Sequence, residues 1–212
     1  MKKNAVVFGG TGEIGSAILK KLDKKDWRTI AVGRDTSSVT DIADYSFEVS
    51  FEDAARIEQT AYLISLEVEQ IDLWVYAAGD IISARISEMK PGEWDRVLAA
   101  NLTGAFYAVH YSLPLLAENA HIIFIGAVSE RLQLPGLSAY AAAKSGLEAF
   151  ATALKKEQRK KLVTVVRPGA VRTSFWDKVP MKLPSDAASP EKVAEKIIQA
   201  YQEGHQGHLD LI

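Results

Sequence analysis

Seven residues near the amino terminus, Gly9-Gly10-Thr11-Gly12-Glu13-Ile14-Gly15, limit the possible folds more than any other stretch of the chain. They follow Ala5-Val6-Val7-Phe8, a short unbroken apolar run of the kind that forms a strand buried on both faces. A run with helical character, 16–22, comes directly after. The spacing satisfies both GxGxxG (Gly10, Gly12, Gly15) and GxxGxxG (Gly9, Gly12, Gly15). Either pattern alone is weak; between a strand and a helix it carries far more weight. Glycines let the backbone turn tightly and approach a pyrophosphate closely, and the unpaired N–H groups of the helix start meet its charge. A glycine-rich turn with no ligand is the plainer reading, and its place in the chain argues against it.

The rest of the chain alternates in the same way. Strands are expected at 28–32, 46–49, Ile71–Tyr76, 121–125 and 162–166. The second ends at Gly33-Arg34-Asp35, where an acidic residue would bind the adenosine ribose hydroxyls and select NAD. Gly33 takes that place and Arg34 follows, which suits a 2′-phosphate and so NADP (NADPH) over NAD; Asp35 blurs this, because it could hold Arg34 in an ion pair. Only 36–45 separate this strand from the next, so a loop or single turn is expected rather than a crossover helix. Glu48 could accept the adenine amino group or be an ordinary strand-end charge. Ser50 with Asp53 resembles a capping box, opening a helix with Ile57, Ala61, Ile64 and Val68 on one face. Ala77-Ala78-Gly79, small residues after the fourth strand, leave room for a cofactor ribose.

Pro91 opens a long helical run to about residue 116 that contains Asn101, a residue that in mid-helix bends or frays the turn or faces solvent. Residues 174–188 hold two of the seven prolines and show little periodicity, as in a mobile lid over a site. Ser189-Pro190 starts a last helix, with Val193, Ile197, Ile198 and Tyr201 on one face and Gly204 at its end. His205 and His208 lack the companions of a metal site.

Tyr140 and Lys144 lie four apart in an alanine-rich helix, Ser138–Glu157, and so share a face. A free phenol titrates near pKa ~10, and an ammonium close by favours the phenolate, making the tyrosine a usable acid or base. YxxxK alone is common, so its meaning depends on the other motifs.

Composition removes several alternatives. The 212 residues, 48% of them hydrophobic, suffice for one sizeable core, and a single domain over 1–212 is expected. A net charge of −2 gives no electrostatic case for nucleic acid or an anionic membrane. The absence of cysteine excludes disulfides and thiol chemistry. The first apolar run is too short for a signal segment or a membrane span, which points to the cytoplasm.

Taken together, these motifs resemble the short-chain dehydrogenase/reductase family over nearly the whole chain: the glycine turn, Ala77-Ala78-Gly79, Asn101-Leu102-Thr103-Gly104, Tyr140…Lys144 and Pro168-Gly169…Thr173. The resemblance implies an α/β Rossmann-like doubly wound parallel sheet flanked by helices. It implies an NAD(P)H-dependent oxidoreductase acting on a small molecule, with a homodimer or homotetramer built on the helices near Pro91 and Ser138. Tyr140 would be the general acid/base. Lys144 would grip the nicotinamide ribose and lower the tyrosine's pKa, and Asn101 would hold a water relay. Thr11, Glu13 and Ile14 would lie in the cofactor turn, and Pro168, Gly169, Val171 and Thr173 would border the nicotinamide.

Three departures stand out. Glu13 occupies a place where typical members have glycine. Tyr76 precedes Ala77-Ala78-Gly79, where an asparagine is usual. The family's serine, thirteen residues before the tyrosine, is Ala127. Ser129 replaces it only if its loop curls back, and Ser138 is better placed as an N-cap. Dihydropteridine reductases, a branch of the family, share the alanine, the turn and the short second crossover, so quinonoid acceptors join small carbonyls as candidate substrates. The alternative is an NADP-binding sensor or scaffold with little turnover.

Overall fold

A computed structural model of the chain describes residues 2–128, 132–179 and 181–211. Parallel strands need both faces covered, and the apolar runs supply the strands that this requires. Strands β1 (Lys3–Phe8), β2 (Trp27–Gly33), β3 (Tyr45–Glu48), β4 (Ile71–Tyr76), β5 (Leu116–Ile125), β6 (Leu162–Pro168) and β7 (Gly207–Leu211) form one parallel sheet in the order β3-β2-β1-β4-β5-β6-β7. The order reverses at β1, so the turns after β1 and β4 open side by side at the carboxyl edge.

Side chains alternate across each strand. Val6 and Phe8 pack with helices α2 (Ala54–Glu67), α4 (Gly104–Ser112) and α5 (Ser138–Glu157) through Ile57, Ile64, Ala105, Val109 and Leu147. Ala5 and Val7 pack on the other face with α1 (Glu13–Lys21) and α6 (Pro190–Glu203), through Ile18, Leu19, Val193 and Ile197. Helix α3 (Pro91–Leu98) leads into α4. No described helix is long and apolar enough to cross a membrane.

The short second crossover is a single 3₁₀ turn, Ser37–Val39, as expected. Four details differ from the sequence reading. The α2 cap is Asp53, whose side chain accepts from the Arg56 N–H, not Ser50. Leu137, not Ser138, caps α5, and no side chain supports the cap. β7 lacked a signal strong enough for a strand; it pairs with β6 from Thr164↔Gly207 to Pro168↔Leu211.

The run after Pro91 is also broken. A π turn, Ala99–Thr103, separates α3 from α4, and a 3₁₀ turn, Leu113–Leu115, leads directly into β5. A π turn leaves backbone groups that need other partners. Tyr76 supplies one, its hydroxyl donating to the Ala100 carbonyl (2.8 Å). The tyrosine in the family's asparagine position thus supports the turn that carries Asn101.

Candidate active site

The glycine turn follows β1 at the reversal of strand order. Gly9 adopts φ +80°, and a Cβ there would lie 2.3 Å from the Ala78 backbone nitrogen, so the two turns touch only because Gly9 has no side chain. Gly33 is constrained likewise: a Cβ would meet the Thr11 hydroxyl at 2.5 Å. Any side chain at the end of β2, a carboxylate included, would press on the Thr11 side chain. Between these turns lies a cleft of about 210 Å³, lined among others by Thr11, Gly12, Arg34, Ala77, Ala78 and Gly79.

Arg34 is exposed at the rim of the cleft. The Asp35 carboxylate accepts from the Ser37 N–H (3.0 Å), and the Ser37 hydroxyl together with that N–H holds its pKa below the usual carboxylate range. Among the described residues, no ion pair engages Arg34. Glu48 accepts weakly from the N–H and hydroxyl of Thr36 (3.3 and 3.4 Å) and is not among the residues lining the cleft.

Asn101 is fully buried, contrary to the expectation of a frayed or solvent-facing residue. Its Nδ2 donates to the carbonyls of Asp80 (2.6 Å) and Val97 (2.8 Å), while its Oδ1 has no partner among the described residues. A Cβ on Gly79 would lie 2.9 Å from that Oδ1 and 3.9 Å from the Lys144 ammonium nitrogen. Gly79, Asn101 and Lys144 therefore surround one small space with an unused buried acceptor. The close approach at Gly9, the cleft and this acceptor fit the polar, phosphate-bearing shape of a nicotinamide dinucleotide.

Tyr140 and Lys144 share a face of α5, with the ammonium nitrogen 5.6 Å from the phenol ring centre. Both are buried, and the Lys144 Nζ donates to the Ile125 carbonyl (2.8 Å). Burial pushes the Lys144 pKa down to about 8, against an opposing pull from Glu148, one turn further along the helix. Burial also raises the Tyr140 pKa. The lowering of the tyrosine by Lys144, expected from the sequence, is not found: desolvation of the phenol outweighs an ammonium committed to Ile125. Tyr140 belongs to an apolar cluster with Ile81, Val97 and Leu137, against which Trp94, Phe175 and Val179 pack.

Phe175 belongs to a 3₁₀ turn, Ser174–Lys178, at the start of the expected lid, and its ring centre is 5.5 Å from that of Tyr140. The turn is fastened at both ends. The Ser174 N–H (3.0 Å) and hydroxyl (3.1 Å) donate to the Glu13 carboxylate. Lys178 donates to Asp80 (2.7 Å), which also pairs with Arg96 (3.0 Å). Burial pulls the Asp80 carboxyl upward, but Lys178, the Ile81 N–H and Arg96 outweigh it and keep its pKa below the usual value.

Pro168 ends β6, the Gly169 N–H donates to Leu211 (2.9 Å), and Val171 bridges to Ala188. Thr173 lines a second, open recess of about 480 Å³ beside Glu13 and Trp176. Ala127 is buried after Gly126, whose N–H donates to Val166 (2.8 Å). Ser129 lies outside the described residues. The sequence alone drew no attention to Asp80, Arg96 or Glu148. Glu148 was discoverable, since it extends the spacing of Tyr140 and Lys144 by four more residues.

A doubly wound parallel sheet, with a glycine turn and a buried Tyr–Lys pair at its carboxyl edge, defines a dinucleotide-dependent oxidoreductase. Residues 3–183 match the short chain dehydrogenase family, and the chain belongs to that family. It is 28% identical over 211 residues to an uncharacterised oxidoreductase of Staphylococcus aureus strain MW2, covering 93% of this chain and 90% of the relative. It is 29% identical over 237 residues to a 3-oxoacyl-[acyl-carrier-protein] reductase of Buchnera aphidicola, covering 99% and 96%. Solved structures share the fold, two of them with a bound nucleotide. One is an alcohol dehydrogenase of Thermococcus sibiricus complexed with 5-hydroxy-NADP (TM-score 0.90, 20% identity, 100% of this chain and 96% of that one). The other is a short chain dehydrogenase of Burkholderia cenocepacia in complex with NADP (TM-score 0.89, 20% identity, 99% and 96%).

Proposed function

We propose that the protein is an NADPH-dependent reductase of a small carbonyl or quinonoid acceptor, with Tyr140 as the proton donor. The observation that carries this is the buried phenol, held protonated among apolar walls, beside Lys144 and an unpartnered Asn101 oxygen. Bound NADPH would supply the hydride. The turn formed by Gly9, Thr11, Gly12, Glu13, Ile14 and Gly15 would hold its pyrophosphate through backbone groups, and Arg34 its 2′-phosphate. The Lys144 ammonium would hold the nicotinamide ribose, with Asn101 ordering a water behind it. As the acceptor oxygen gains charge, Tyr140 gives up its proton to it, and the apolar wall that includes Phe175 and Trp94 keeps bulk water away.

Nicotinamide complexes of two proteins with this fold support the choice of cofactor class, and the free guanidinium of Arg34 supports NADP. The reductase relative supports the direction of reaction. Ala127 supports an acceptor that spreads its developing charge, since a single carbonyl oxygen gains most from an added donor.

A screen of NADPH oxidation against aldehydes, ketones, quinones and quinonoid dihydropterins tests the proposal. Tyr140→Phe should abolish turnover and leave NADPH affinity nearly unchanged. Ala127 also favours a second reading, a nucleotide-binding sensor or scaffold. Firm NADPH binding with no turnover across the screen would establish that reading instead.

A further inference from the structure

Glu13 occupies an unusual position for a carboxylate. It is the first residue of α1, next to the turn whose N–H groups and helix field attract a pyrophosphate. The same field attracts the Glu13 carboxylate, so two anions compete for one positive region. Glu13 does not line the dinucleotide cleft; it lines the neighbouring recess, where its oxygens accept from the Ser174 N–H and hydroxyl. The first residue of the lid turn thus gives the carboxylate two donors, both on its Oε2.

We infer that Glu13 and Ser174 are positioning residues that couple lid closure to binding of the cofactor's pyrophosphate. With the lid down, Ser174 holds the carboxylate and weakens its repulsion of a pyrophosphate. With the lid raised, an unheld carboxylate stands beside the turn and opposes the ligand. Coupling of this kind is reciprocal, so a bound pyrophosphate favours the closed lid. The same turn places Phe175 against Tyr140 and Lys178 on Asp80, so the coupling reaches the catalytic phenol. The inference rests on the reading of the glycine turn as a dinucleotide site.

The test is a double-mutant cycle on ligand-free protein, read by calorimetric binding of NADPH and of adenosine 2′-monophosphate, which lacks the pyrophosphate. Ser174→Ala should weaken NADPH roughly three- to tenfold and leave adenosine 2′-monophosphate unchanged. Glu13→Gln should bind NADPH at least as tightly as the parent, and adding Ser174→Ala to it should cost less than about twofold. Trypsin should cut the ligand-free Ser174→Ala protein faster than the parent after Arg172 and Lys178, and NADPH should slow that cleavage. An undiminished Ser174→Ala loss in the Glu13→Gln background would overturn the coupling. So would parallel losses for both ligands, or weaker NADPH binding by Glu13→Gln alone. Failure of NADPH to bind any of the folded proteins would remove the dinucleotide reading itself, and the inference with it.

Discussion

Arg34 and Lys144 differ in how their charges are housed. Arg34 is exposed at the cleft while Asp35 is engaged elsewhere, so the guanidinium is available to a 2′-phosphate. Arg34→Ala should therefore weaken NADPH about 10- to 100-fold, the range for losing a charge-assisted hydrogen bond, and barely affect NADH. Equal losses for the two cofactors, measured by titration, would remove Arg34 from the phosphate site. Lys144 is a lysine that titrates within the working range of an enzyme. With its pKa pushed down to about 8, it is charged below that pH and neutral above it. NADPH affinity should fall as pH rises through 8, whereas an exposed lysine would hold its charge to about pH 10. Tyr140, with its raised pKa, does not titrate in that window, so Tyr140→Phe should keep the same profile. An affinity flat to pH 9.5 would exclude the lysine from the ribose contact. The shared helical face of this pair was legible from spacing; the direction of the tyrosine's shift was not, because it depends on what the fold packs around the phenol.

At the scale of elements, the π turn and β5 carry most of what propensity did not reveal. Asn101 is buried because Ala99–Thr103 widens the helix and Tyr76 bonds to the freed Ala100 carbonyl. Tyr76→Phe should cost about 1–2 kcal/mol in urea unfolding and lower turnover as the asparagine loses its fixed position. In β5, His121 accepts no solvent: its Nε2 meets the Thr164 hydroxyl at 2.8 Å, and that hydroxyl donates to His205 O. Burial, helped by the charge of His205, pushes the His121 pKa down to about 4. The unfolded chain binds a proton at this residue below about pH 6.5, which the folded chain resists until about pH 4. Stability from this residue is thus complete above pH 6.5 and is lost as pH falls toward 4, a change on the order of 3 kcal/mol. His121→Gln should flatten the dependence of unfolding free energy on pH between 4.5 and 7. An unchanged slope would assign that dependence to other groups.

For the whole molecule, the homo-oligomer implied by the resemblance would use the outer faces of α4 and α5. Phe106 on α4 is 43% exposed, and its ring stands edge-on to Phe150 of α5 at 6.2 Å. Phe106→Glu should shift sedimentation from dimer or tetramer toward monomer; an unaltered profile would place any contact elsewhere. The sequence by itself determined the alternation of strands and helices, the parallel sheet, and the turns that gather at its carboxyl edge. Those features arise locally: a strand buried on both faces must be an unbroken apolar run, and a backbone that crowds another must be glycine. Asp53 as the α2 cap was ambiguous beside Ser50, and β7 was missed because it is only five residues long and carries just two apolar side chains, Leu209 and Leu211. Tertiary structure alone decided that Glu13 meets Ser174, 161 residues away, that Asp80 joins Arg96 to Lys178, and that Phe175 covers Tyr140. It also decided that Lys144 titrates near 8. Pairings between distant loops follow from how the layers pack, and desolvation follows from what surrounds a group in space, neither of which a local pattern of residues encodes.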